Sequence, residues 1–306
     1  MKEKLKLLIK LGRLRFLAGG FFLYTMGVLL AIVSGVEFSY TYFLFGYAIM
    51  LPAHLSLSYS NNYFDIEVDK FNIPISISGG TKILIENPEL RPICKKIAIG
   101  LIILSITLAS IFLILFSYPI TFLSFIIFGN LLGWFYTAPP IRLAYRGLGE
   151  IANMINMGLL MPGIGYWTMS GNLDLFFSIF AIAFFLYGLN FMIIVETPDM
   201  EGDKIAKKKT FVTKIGRKNS YKIIILVLFL ISLYFLLLST TELFSNIINY
   251  KILFILSIIP LFILLLGWFK KPFTKNIATK IAKNNMFALL FFIFTINIYL
   301  IVLSLI

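Results

Sequence analysis

Nine stretches of the chain are almost uninterrupted apolar sequence: residues 16–35, 39–60, 96–116, 119–137, 150–169, 173–195, 221–240, 250–269 and 284–306. Each runs to about 20 residues, which at about 1.5 Å per residue crosses a hydrocarbon core of about 30 Å. None alternates polar and apolar residues at period two, and each is too long for a barrel strand. Lipid admits only helices and closed barrels, so the pattern predicts helices. The expected fold is all-α: a polytopic membrane protein of nine transmembrane helices.

The basic residues test that map. Of 27 Lys and Arg, 26 fall in the N-terminal tail to Arg15 and in segments 63–98, 138–150, 199–222 and 267–284. Nine crossings put all of these on one side and only Lys251 on the other. Positive charge marks the cytoplasmic face, which places the N-terminus in the cytoplasm and the C-terminus outside. The expected location is the cell membrane, multi-pass. The basic tail before the first apolar run can mimic a signal peptide, but no small-residue cleavage site follows it, so that run reads as a retained helix.

Composition narrows the function. The chain is 59% hydrophobic and only 13% charged, so a soluble domain would lack a polar surface. The net charge of +13 comes as short clusters between apolar runs, which suits topology and anionic lipid and excludes nucleic acid as a partner. With one cysteine, Cys94, and one histidine, His54, neither a disulfide nor a Cys or His metal cluster can form. Chemistry must rest on carboxylates, amides, hydroxyls and cations.

Two long connections, 61–95 and 196–220, lie on the predicted cytoplasmic side, while the opposite connections are short. Each long one begins with the same pattern. Asp65-Ile66-Glu67-Val68-Asp69-Lys70 and Asp199-Met200-Glu201-Gly202-Asp203-Lys204 are offset by 134 residues. Four helices separate them, which returns the second copy to the same face. The pattern predicts one domain, 1–306, built from a four-helix repeat (about 16–137 and 150–269) plus a ninth helix at 284–306.

Asn61, Asp65 and Asp69 stand at helical i, i+4 spacing and share one face. Paired carboxylates at a membrane edge repel, and a cation removes that cost. Oxygen-only ligands suit Mg²⁺, which completes its shell with water and phosphate. Asp199 and Asp203, just after Glu196 and Pro198, repeat the logic, so two acidic pairs on one side read as a metal clamp for one diphosphate. Lys70, Lys82, Arg142, Arg146, Lys204 and the run Lys207 to Lys209 can contact phosphate or serve only as topology signals. Tyr136 reads either as an interfacial aromatic or as a ring beside a cationic transition state. His54 and Ser58 continue the Asn61 face deeper into the membrane, as packed polar residues or as an acceptor site.

Together these motifs resemble the UbiA superfamily of intramembrane prenyltransferases. Asn61-Asn62-Tyr63-Phe64-Asp65-x-x-x-Asp69 is similar to its first motif, and Asp199-x-x-x-Asp203 followed by Lys208 and Thr210 to its second. Tyr136-Thr-x-Pro-Pro-x-Arg142-Leu-x-x-Arg146-Gly-Leu-Gly-Glu150 resembles the segment between them. The resemblance implies nine helices around a central cavity and Mg²⁺-dependent transfer of a polyprenyl group from its diphosphate to an acceptor, usually aromatic. The Arg-Gly-Leu-Gly-Glu stretch and Gly79-Gly80-Thr81-Lys82 look most like the menaquinone branch, whose acceptor is 1,4-dihydroxy-2-naphthoate. Four positions depart from the pattern: Asn62 replaces Asp, Ile73 replaces Arg, Ala144 replaces Lys, and Lys207 replaces Gly.

Expected partners are thus a prenyl diphosphate, a small aromatic or lipid-like acceptor and the bilayer, with the active site toward the cytoplasm. O-prenylation of geranylgeranylglyceryl phosphate would use the same diphosphate site. A transporter is the alternative of another class, although transporter sites sit near mid-membrane.

Overall fold

The computed structural model describes residues 2–71 and 81–305, and every regular element among them is helical. The chain opens with α1 (Lys2–Leu11), a 3-10 turn, α2 (Leu17–Val33) and α3 (Tyr40–Phe64). The short helices α4 (Ile66–Asp69) and α5 (Ile83–Glu86) lead to α6 (Arg91–Phe116) and α7 (Ile120–Thr137). α8 (Gly149–Ile155) passes through a π turn at 156–160 into α9 (Met161–Ser170). Then come α10 (Leu175–Glu196), α11 (Met200–Ile205), α12 (Phe211–Leu238), α13 (Tyr250–Trp268) and α14 (Lys275–Ser304). The positions singled out at Asn72 to Pro74 and at Gly79-Gly80 lie outside the described residues.

Each predicted apolar run coincides with a helical stretch. Seven of these stretches are long and apolar enough to cross a membrane, the first running from Lys2 to Val33. The other two expected crossings, α3 and the α8–α9 stretch, fall outside that set for physical reasons. The lower half of α3 carries His54, Ser56, Ser58, Ser60, Asn61 and Asn62, which dilute its hydropathy. The π turn divides residues 149–170 into pieces too short to span alone.

Outward-facing side chains are apolar: Ile114, Phe262 and Phe287 are all more than half exposed, as lipid contact requires. Inside, α2 packs on α9 and α14, α3 on α6 and α7, and α10 on α8, α12 and α14, while α13 bridges α12 and α14. The α2–α9 contact is close to backbone on backbone. A Cβ at Gly27 would lie 1.8 Å from the Pro162 carbonyl oxygen, and one at Gly165 would lie 2.2 Å from that of Tyr24. Small residues permit such approach between membrane helices.

α3 and α7 run parallel in a fixed register. Thr137 Oγ1 donates to Asn61 Oδ1 at 3.0 Å, and Gly133 faces Leu57. Both pairs differ by 76 in number, so each position on α7 is level with the residue 76 earlier on α3.

Candidate active site

α3 ends at Asp65, which also caps α4, and α10 ends just before Asp199, which caps α11. α4 and α11 pack against each other, so the two acidic pairs come together at one end of the bundle. They open into a cavity of about 310 Å³ that runs inward between α2, α3, α7, α9 and α10. Along α3 its lining extends from Asp65 back to Met50, about 22 Å at the helical rise.

The acidic end is tightly wired. Asp65 Oδ1 accepts from the Tyr145 hydroxyl at 2.6 Å, and Asp65 Oδ2 lies 3.9 Å from Lys208 Nζ. Asp69 is 7% exposed, and its Oδ2 accepts from the Thr81 amide at 3.2 Å. Burial, reinforced by Asp65, pushes the Asp69 carboxyl up to about 6. Burial alone would pull Lys208 down, but Asp65 and Asp203 outweigh it and hold the ammonium well above its ordinary range. Lys208 thus stands between the two acidic pairs as the charge that balances them.

The residues fit a hard divalent cation. The donors are all oxygen, and Glu196, 5% exposed and in the lining, adds a buried Oε2 with no hydrogen-bond partner among the described residues. Among the described residues no three of His, Cys, Asp and Glu converge closely enough to hold an ion by themselves. That suits a cation which keeps water and takes phosphate oxygens in its remaining positions.

Of the residues singled out from sequence, Asn61, Asp65, Asp69, Asp199, Asp203, Tyr136, Lys208, His54 and Ser58 all line this cavity. Seven cations do not, among them Lys207 and Lys209, both exposed. Lys70 pairs with Glu67 at the surface, and Lys82 and Lys204 are exposed. Arg142 stacks 4.2 Å from the Tyr145 ring centre, and Arg146 donates to the Pro140 carbonyl. Arg142 therefore touches the site only through Tyr145.

The departures from the family pattern acquire a geometry. Asn62 is absent from the cavity lining. It accepts from Arg13 Nη2 at 2.7 Å and donates to the Leu11 carbonyl at 2.9 Å and the Ser58 carbonyl at 2.8 Å. It pins the N-terminal segment so that Arg13 lines the acidic end. Lys207 has φ 57, the left-handed region that glycine adopts without cost. Ala144 is buried under its turn and stays out of the lining.

Sequence reasoning missed Arg13, Tyr145 and Arg217. Arg13 was counted as a topology charge, and only its fold-back beside Asn62 shows otherwise. Arg217, just after the Gly216 kink in α12, is 6% exposed. Its Nε donates to the Thr197 carbonyl at 2.6 Å, and its guanidinium fork grips Glu201 on α11. Glu201 falls below its usual range: burial opposes ionisation, but the Arg217 hydrogen bonds win. This fork fixes the turn that presents Asp199.

Residues 21–296 match the sequence pattern of the UbiA prenyltransferase family. No curated protein sequence matches the chain. Several solved structures share its fold. One is from a study of digeranylgeranylglyceryl phosphate synthase in membranes. It is 22% identical with a TM-score of 0.62, and the match covers 97% of this chain and 99% of that one. A UbiA homologue from Archaeoglobus fulgidus bound to GPP and Mg²⁺ is 16% identical, TM-score 0.63, covering 93% and 99%. An apo UbiA homologue from Aeropyrum pernix K1 is 12% identical, TM-score 0.62, covering 88% and 96%.

Proposed function

The chain belongs to the UbiA prenyltransferase family, and from that premise we propose that it transfers a polyprenyl group from a prenyl diphosphate to an electron-rich aromatic acceptor of the 1,4-dihydroxy-2-naphthoate kind, in quinone biosynthesis. One observation carries this reading: two acidic pairs and Lys208 gather at one end of a cavity whose remaining wall is largely apolar. A diphosphate belongs at the charged end and an isoprenoid tail in the rest. Family membership sets the transporter reading aside.

Asn61, Asp65, Asp69, Asp199 and Asp203 would hold Mg²⁺. When bound, that ion would supply Lewis-acid charge to the diphosphate oxygens; a UbiA homologue from Archaeoglobus fulgidus binds GPP and Mg²⁺. Lys208 and Arg13 add fixed positive charge where the leaving diphosphate gathers its electrons. The allylic C–O bond breaks with its electron pair going to diphosphate. A ring carbon of the acceptor gives an electron pair to the freed carbon, and the proton on that ring carbon leaves as aromaticity returns. Tyr136 offers a ring face to the cation, and the apolar wall keeps water from quenching it.

The same reading includes nine crossings with the N-terminus and acidic end on the cytoplasmic side, and descent from a four-helix duplication. The matched placement of Asp65 and Asp199 as caps of short helices supports that duplication. O-prenylation of geranylgeranylglyceryl phosphate remains the second reading, since one structure of this fold comes from that synthase study. A panel assay separates them: purified protein, labelled geranylgeranyl diphosphate, Mg²⁺ or EDTA, and each acceptor in turn. We expect Mg²⁺-dependent product with the naphthoate. Product with the glyceryl phosphate alone would replace the acceptor class, and no product with either would sink the reading.

A further inference from the structure

Two turns in from the acidic end, the cavity wall becomes polar again. The α3–α7 register puts His54 level with Asn130, both about 10 Å deeper than the Asn61–Thr137 pair. Both line the cavity. Asn130 is 4% exposed, and its Nδ2 is spent on Ser105 Oγ at 3.2 Å and the Ile126 carbonyl at 2.9 Å. Its Oδ1 is buried with no partner among the described residues. His54 has no hydrogen-bond partner among the described residues, and its Nδ1 is buried against Gly20. Tyr187, nine residues before Glu196 on α10, brings a third polar group to the lining. It is 3% exposed.

Burying a polar group without a partner costs on the order of 1–3 kcal/mol, and lipid offers no water to relieve it. Structural bridging between α6 and α7 explains the Asn130 amide nitrogen and leaves its oxygen unexplained. Two such groups, with Tyr187 lining the same cavity, mark a place where a ligand completes the hydrogen bonds. The cavity's cationic residues, Arg13, Arg15 and Lys208, are tied to its acidic end or to the start of α2 beside it. The deeper belt therefore suits hydroxyl groups rather than a phosphate, which would ask for the cations at the other end. A carbonyl-type oxygen such as Asn130 Oδ1 asks for a donor.

We propose that His54, Asn130 and Tyr187 bind the hydroxyl groups of a hydroxylated aromatic acceptor, holding its ring so that one carbon faces the allylic carbon of the donor. This rests on the prenyl-transfer reading above. It adds a recognition site separate from the diphosphate end and selects a dihydroxy ring over a phosphorylated alcohol.

The test uses the full chain with geranylgeranyl diphosphate as donor and reduced 1,4-naphthalenediol or its monomethyl ether as acceptor. Wild type should prefer the diol. His54→Leu and Asn130→Leu should each raise the KM for the diol by roughly 3- to 10-fold, the worth of one hydrogen bond. The KM for the donor should stay within about twofold on the same basis. The discrimination against the ether should shrink in the variants. Equal use of diol and ether by wild type, or an unmoved diol KM in both variants, overturns the proposal while the prenyl-transfer reading stands. So does transfer to geranylgeranylglyceryl phosphate with none to the diol. If Asn130→Leu fails to fold, the ether comparison on wild type and the His54 variant still decide. Absence of diphosphate release with any acceptor would instead defeat the parent reading.

Discussion

Asp69 shows how the site trades stability for binding. Burial and the charge of Asp65 push its carboxyl up to about 6 from an ordinary 3.8. A raised folded-state value means that the folded chain holds this proton more tightly than the unfolded chain. The metal-free fold is therefore relatively favoured below about pH 4 and loses that advantage as pH rises through 6. Asp69→Asn should stabilise the metal-free protein at pH 7.5 by at most about 3 kcal/mol, and the gain should vanish as pH falls below 4. Thermal unfolding in EDTA across that range checks it; a variant no more stable at pH 7.5 contradicts the assignment. Lys207 gives a second residue-scale expectation. It holds φ 57 with an exposed side chain. Lys207→Gly should relieve the left-handed strain and stabilise the chain by about 0.5–1 kcal/mol, part of the gain being offset by glycine's freedom when unfolded. Chemical denaturation in mixed micelles would read it, and a destabilised variant would count against the strain.

At the scale of elements, the helices were legible because lipid imposes a run length, and every predicted run lies on a helix. Their starts were not. α6, α12 and α14 begin at Arg91, Phe211 and Lys275, well before the apolar sequence at 96, 221 and 284. Basic residues ahead of the apolar run read as loop, yet a helix continues past the hydrocarbon when its polar end sits in water. The π turn at 156–160 also left no mark, since Asn156 and Gly158 are single residues inside an apolar run that reads as one helix. Placement of α11 depends on Arg217, whose reach across to Glu201 is a tertiary fact. Arg217→Lys keeps the charge and loses the fork. It should raise the Mg²⁺ concentration for half-maximal activity about tenfold, the worth of a charged hydrogen bond, with the acceptor KM unmoved. A variant that only lowers the yield of folded protein, with unchanged Mg²⁺ dependence, would reduce Arg217 to a packing role.

At the scale of the whole molecule, the acidic residues were legible and most of the cations were not. Repeated Asp-x-x-x-Asp spacing points to a site because like charges one helical turn apart repel each other and ask for a cation. Lysines and arginines at the same edge serve topology as well, so spacing could not separate Lys208, inside the cavity, from Lys70, Lys82 or Lys204 outside it. Asn130 and Tyr187 were invisible for another reason: their meaning lies in which helices stand level with which. The central claim is that the two acidic pairs, 134 residues apart, form one diphosphate site. The measurement that tests it most directly is release of diphosphate from geranylgeranyl diphosphate in the presence of acceptor, for wild type, Asp65→Asn and Asp199→Asn, with Mg²⁺ and with EDTA. The account predicts that EDTA silences wild type and that each variant loses at least about 100-fold, comparable to removing a main electrostatic stabiliser. Release that survives EDTA, or near wild-type activity in either variant, would contradict it.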